Sequence, residues 1–231
     1  MSSSARELVE RLELELEPLR QRIEAGPFVR AVADGTFPLD GIRFVHTNHY
    51  HLLLNDLANA NIAVARARTE EEMLSFHAIA AEEKNQLAAL FELTDALEID
   101  RDELATSAPS SSCLLRTNYL SRLVQYGSAG EIALATLLTS RARGAASKAE
   151  SQGLAAHYGL DQPATDVLHR LEVAADASSE RALKSIALDV ASAGGDERLS
   201  EIAHWALEYE AMVWDAYYDE GLVLEAAGAG V

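Results

Sequence analysis

Proline and glycine, the strongest helix breakers, gather at a handful of points in this chain and leave long stretches of Ala, Leu, Glu and Arg between them. Within those stretches apolar residues recur every three or four positions, as in Leu12, Leu16, Leu19 and Ile23, and again in Leu87, Leu90, Phe91 and Leu97. Residues 12–17 alternate apolar and acidic like a strand, but helical flanks place them in a helix. Gly26-Pro27 ends the first helix and Pro27 opens a short second one; residues 34–38 form a turn, and Asp40 is placed to cap the next helix. Thr69, followed by Glu70, Glu71 and Glu72, reads as a cap with acidic first-turn residues. Further breaks fall at 105–112, at Gly127–Gly130, at 158–163 with Gly159 as a C-cap, and at 193–196. The pattern predicts an all-α protein: one bundle of seven or eight helices over residues 1–231, with 228–231 as a frayed tail.

A chain of 231 residues with 48% hydrophobic side chains can bury a core without staples. It carries 37 acidic against 19 basic residues, a formal charge of −18, which repels phosphate backbones and anionic lipid. Nucleic acid and membrane surfaces are therefore not expected partners. Cys113 is the single cysteine, so neither an intrachain disulfide nor a Cys-based zinc site can form. No apolar run approaches the roughly 18 residues that span a bilayer, and the first residues lack the apolar core of a signal peptide. A cytoplasmic protein is expected.

Four regions could hold chemistry. After Asp40 come His46, Asn48, His49, Tyr50, His51, Asn55 and Asn59, with His46, His49 and Tyr50 on one helical face. They form either a pocket wall that orients a polar ligand, or a solvated face with one or two histidines satisfied in the core. Glu83 and Gln86 keep the spacing of a Glu-x-x-His metal motif with Gln in the histidine's place; a solvated charged stripe is the alternative. His169, Glu172, Asp176 and Ser179 fall close to one face, where they could ligate a cation, work as acid and base, or face solvent. The last long helix gathers Trp205, Tyr209, Glu210, Trp214, Tyr217 and Tyr218, with Glu210 and Trp214 one turn apart. Ser140, Arg141 and Arg143 lie mid-helix, and Arg116, Tyr119 and Arg122 line another; arginines buried near a pocket would imply an anionic substrate. The sequence contains no glycine-rich phosphate loop, nucleophile elbow or Cys/His zinc spacing.

Three stretches carry a family resemblance: residues 44–57; the run from 105 through Tyr119 and 133–138 to 153–159; and Leu207 to Tyr217. Their order resembles the haem-oxygenase-like helical superfamily, in the branch that holds thiaminase II, the pyrroloquinoline quinone synthase and the diiron oxidases. The resemblance implies a small-molecule enzyme of specialised metabolism that uses O₂, either without metal or with a rebuilt metal site, and acts as a homodimer. No haem is expected. Laid on this chain, the diiron ligand set falls on Glu83, Gln86, Ser140, Glu172, Asp176 and Ser179, which leaves a standard diiron centre incomplete. Iron could still be held by Glu83, Glu172 and Asp176, with His169 as a displaced ligand. The same three carboxylates are the candidate catalytic residues. His46, His49, Tyr50, Tyr119, Ser140, Glu210 and Trp214 are the candidate substrate-binding ones. Ser140 stands near the cysteine position of thiaminase II, and Glu210 matches the acidic residue of its last helix. The other reading is a binding or regulatory protein that kept the fold and lost the chemistry.

Overall fold

The computed structural model describes residues 2–161, 164–165, 168, 180–192 and 194–228. In chain order the helices are α1 (Ser2–Glu15), α2 (Glu17–Glu24), α3 (Pro27–Ala33), α4 (Leu39–Arg66), α5 (Glu70–Ala96), α6 (Arg101–Thr106), α7 (Leu115–Tyr126) and α8 (Ala129–His157). The described part of α9 covers 180–190, and α10 runs Gly195–Gly228. No strand occurs among the described residues. The candidate residues His169, Glu172, Asp176 and Ser179 lie outside them, as does the tail beyond 228.

Most ends follow their local chemistry. Thr69 caps α5 by accepting from the Glu72 N–H at 3.1 Å, and Glu70, Glu71 and Glu72 place negative charge at the positive end of the helix dipole. Ser128 and Glu131 form a reciprocal capping box at the start of α8, which moves the last part of the expected 127–130 break into the helix. Gly159 follows α8 at φ +71, a left-handed conformation suited to glycine. Two details differ from the sequence reading. Pro18, inside the first turn of α2, has no N–H to give the preceding turn, so the first apolar stripe is carried by two helices that meet at Leu16. Asp40 lies within the first turn of α4 rather than capping it; Pro38 is the N-cap, and Asp40 accepts from Arg43 at 3.0 Å.

α8 is the central helix. Buried residues lie all round it, from Ile132 to Leu154, as expected of a helix enclosed by others. Its small residues let neighbours come close: a Cβ on Gly153 would stand 2.5 Å from the Val32 carbonyl oxygen of α3. α10 packs on α8, α4, α2 and α7, while α4 makes its largest contact with α5. The main core joins α1–α4, α8 and α10 through residues such as Leu12, Ile23, Phe28, Ile42, Leu134, Leu138, Leu207 and Trp214. A second apolar cluster, with Ala63, Phe76, Leu123, Val124, Ile132 and Ala206, lies where α4, α5, α7, α8 and α10 converge. These five helices enclose the site.

Candidate functional site

Five ionisable side chains from five helices meet in the interior. Asp56 comes from α4, Glu83 from α5, Arg116 from α7, Arg143 from α8 and Glu210 from α10, and none is more than 9% exposed. Arg116 is hydrogen-bonded to Asp56, and its Nε stands 3.1 Å from Glu210 Oε2. Arg143 is 3.9 Å from Asp56 and 4.0 Å from Glu210. Trp214 donates its indole N–H to Glu210 at 2.9 Å, and the Thr117 hydroxyl lies 3.4 Å from Asp56. Burial works against the Arg116 charge, but Asp56 and Glu210 outweigh it and raise its pKa.

Three carboxyl groups thus face two guanidiniums, and Glu83 is the unmatched one. Burial, reinforced by the Asp56 charge, pushes its carboxyl up to about 7, against the pull of Arg143 and Arg116. Its Oε2 is buried and has no hydrogen-bond partner. The same holds for the Asn59 amide nitrogen, although Asn59 Oδ1 accepts from Ser121 at 3.0 Å. Both residues line a narrow cavity with about 30 Å³ of free space, room for only a water-sized group. Asp56, Arg116, Arg143, Tyr119, Thr136 and Thr139 complete its polar wall; Ala60, Phe76, Ile79, Leu120, Leu123, Ile132 and Ala206 form the apolar one. An unpaired donor and an unpaired acid on one wall offer a polar ligand two hydrogen bonds.

The other candidates are distributed around this centre. Tyr119 lines the cavity, with burial raising its phenol to about 12, and its ring lies 5.2 Å from that of Tyr209. Glu210 and Trp214 are buried behind the cavity wall. His46 is fully buried and stands 3.2 Å from Glu150, with its ring 6.4 Å from that of His49. Burial, with Arg143 and Arg116 also nearby, holds the His49 imidazole well below its ordinary pKa. Tyr50 packs against His51 and Phe91, away from the cavity lining, and Ser140 is also absent from it. The Ser140 hydroxyl instead lies 3.4 Å from an Arg143 nitrogen, while Thr136, Thr139 and Arg143 are among the α8 residues in the wall.

Asp56 and Glu150 had no sequence signal strong enough to single them out. For Asp56 there is a faint one: it interrupts the buried stripe Leu52, Leu53, Asn59, Ala60 and Ala63, and an acid in such a stripe needs a partner.

The described surroundings of Glu83 do not fit an iron centre. Two guanidiniums already supply the positive charge that a cation would bring, and no three His, Cys, Asp or Glu side chains among the described residues are grouped to hold a metal ion. Of the expected carboxylate ligands, Glu83 alone lies among the described residues.

Solved structures match this architecture over nearly its whole length. A TenA family transcription regulator from Silicibacter sp. TM1040 superposes with a TM-score of 0.78 at 17% identity, covering 92% of this chain and 96% of its own. A domain of unknown function with a haem-oxygenase-like fold from Shewanella denitrificans gives 0.78 at 14%, covering 94% of each chain. A protein described as a candidate TenA-like thiaminase from Sulfolobus solfataricus gives 0.72 at 16%, covering 92% and 96%. The fold is haem-oxygenase-like, as the resemblance implies. No curated protein sequence matches the chain. Residues 14–220 match the TENA/THI-4/PQQC family, and the chain belongs to it.

Proposed function

We propose that this protein is an enzyme that acts on a small organic molecule by moving a proton through Glu83. The observation that carries the reading is the Glu83 carboxyl: buried, unpartnered at Oε2, set in the cavity wall, and held at about 7. A group with that pKa is present in both acid and base forms near neutral pH, which suits general acid–base catalysis. Asn59 offers the substrate a hydrogen bond through its free amide nitrogen, and Tyr119 closes the same wall. Arg116 and Arg143 stand against Asp56 and Glu210, and Glu83 is the carboxyl of the cluster with no guanidinium contact of its own among the described residues. The oxidative form of the reading adds O₂ as the oxidant of a substrate made electron-rich by that deprotonation; oxygen uptake coupled to turnover distinguishes it from simple proton transfer. Family membership and the resemblance support a place in specialised metabolism and a cytoplasmic location.

The test begins with a metabolite screen by thermal shift, followed by a pH–rate profile for the hits. The expected profile has a limb near 7 in the natural protein, and Glu83→Gln loses both that limb and at least about 100-fold in rate. An unchanged profile in the variant would overturn the reading. Glu172 and Asp176 are proposed as partners of Glu83 on the resemblance alone. Metal analysis of protein purified without chelator, repeated on Asp176→Ala, checks whether a cation enters there; equal metal content in the two would remove Asp176 as a ligand. A homodimer is proposed as well. Exposed Leu54, Ile62, Met73 and Leu74 on α4 and α5 support it, and a scattering mass of 25.0 kDa would end it.

The non-catalytic alternative draws on Ser140, which stands near the nucleophile position of thiaminase II and outside the cavity lining. It predicts ligand binding without turnover in the same screen.

A further inference from the structure

Buried polar groups in folded proteins are almost always paired, so two unpaired ones in the wall of a single chamber call for a partner. Glu83 Oε2 and the Asn59 amide nitrogen are two such groups, on side chains of residues only 5% and 4% exposed. They reach the chamber from α5 and α4. Other lining groups are engaged: Asp56 and Arg116 hold each other, and Thr139 donates to the Ala135 carbonyl at 2.9 Å. The free space of about 30 Å³ exceeds the roughly 10–15 Å³ that one water requires. It is far below the roughly 300 Å³ at which pockets for organic ligands begin. A methyl group or an apolar gas would fit by size, yet would leave both polar groups unpaired. Water satisfies both: it accepts from the Asn59 N–H and donates to the Glu83 carboxylate.

We propose that this chamber is a binding site for one ordered water, and that Glu83 exchanges its proton with the substrate through that water. The second half rests on the proton-transfer reading above. The lining runs from buried Asn59 and Glu83 to half-buried Ile79, Tyr119, Leu120 and Thr136, where the chamber nears the surface. A substrate held at that end presents its acidic X–H group to the water. In the transfer the X–H bond breaks and its proton joins the water, while a proton of the water passes to Glu83 Oε2. The electron pair stays on X, and the water is regenerated. Asn59 is a positioning residue: its N–H engages a lone pair of the water and so turns a hydrogen toward Glu83. Asn59 thus meets the substrate through the same water.

A crystal structure that resolves solvent should place one water within about 3.2 Å of both Glu83 Oε2 and Asn59 Nδ2. A dry chamber, or a water that touches only one of the two, would overturn the proposal. Two variants carry the test into solution. Asn59→Leu removes the donor and fills the space, while the Ser121 hydroxyl keeps its bond to the Thr117 carbonyl at 2.9 Å. Ala60→Val fills the chamber from its apolar wall and leaves both polar groups in place. Oxygen-17 relaxation dispersion should count one long-lived water fewer in each variant than in the natural protein. Glu83, followed by NMR titration, should shift upward by about 1 pH unit in each, because its charged form loses a hydrogen bond. Circular dichroism confirms that each variant is folded. With a substrate from the screen above, both variants should lose about 10-fold in kcat at an unchanged KM. An unchanged water count or Glu83 titration would remove the water site, and an unchanged kcat would remove the relay. A flat pH–rate profile in the natural protein ends the Glu83 reading and leaves the water site standing. A dry chamber leaves the Glu83 profile standing, so the two readings fail separately.

Discussion

At the scale of single residues, Glu83 carries a stability signature as well as a chemical one. Its pKa is raised from 4.5 to about 7 on folding, so the folded chain binds this proton more tightly than the unfolded one. That contribution is complete below 4.5, falls as pH rises toward 7, and is gone above it. Glu83→Gln keeps the shape and removes the titration. The variant should therefore gain on the natural protein between about pH 5 and about pH 8 by up to about 3 kcal/mol, measured by denaturant unfolding at both values. A constant difference across that window would contradict the assigned environment. Arg116 poses the opposite case: truncating it would leave Asp56 and Glu210 buried beside one another with only the more distant Arg143. Legibility in the sequence tracked how local each relation is. Glu210 and Trp214 sit one turn apart on one helix, and their spacing announced the 2.9 Å contact. Glu83 stood out through its family position, while its real neighbours, Asp56, Arg116 and Arg143, come from three other helices. No spacing rule along the chain can bring those together.

At the scale of elements, start signals were plainer than kinks or long-range packing. Thr69 and its three glutamates fixed the start of α5 because capping is decided within four residues. The division between α1 and α2 was just as local, through Pro18, but the apolar stripe runs across it and hid the break. The short helix α6 begins at Asp100, whose side chain accepts from the N–H groups of Asp102 and Glu103. The packing of α3 on α8 has no local signal: Gly153 matters because Val32 and Ala33 lie against it. Gly153→Ala should improve helix propensity yet destabilise the protein, because the new methyl would overlap backbone atoms that belong to another helix. A loss of about 1–3 kcal/mol is expected by chemical denaturation, as for overpacked cores. A gain would mean that α3 can move away freely.

At the scale of the whole molecule, the all-α reading came from the spacing of apolar residues, and the haem-oxygenase-like arrangement from the order of segments. The negative charge is distributed so that its buried part is the chemically informative one: Asp56, Glu83, Glu150 and Glu210 are in the interior, and most other described acids face water. No helix among the described residues is long and apolar enough to cross a membrane. The cavity has a mechanical consequence. Space that neither protein nor ligand fills makes the folded state the larger-volume one, and compression favours whichever state is smaller. The ligand-free protein should thus be the more compressible form. A molecule seated between Glu83 and Phe76 should stiffen it, so high-pressure fluorescence could reveal a true ligand by how much squeezing the fold withstands.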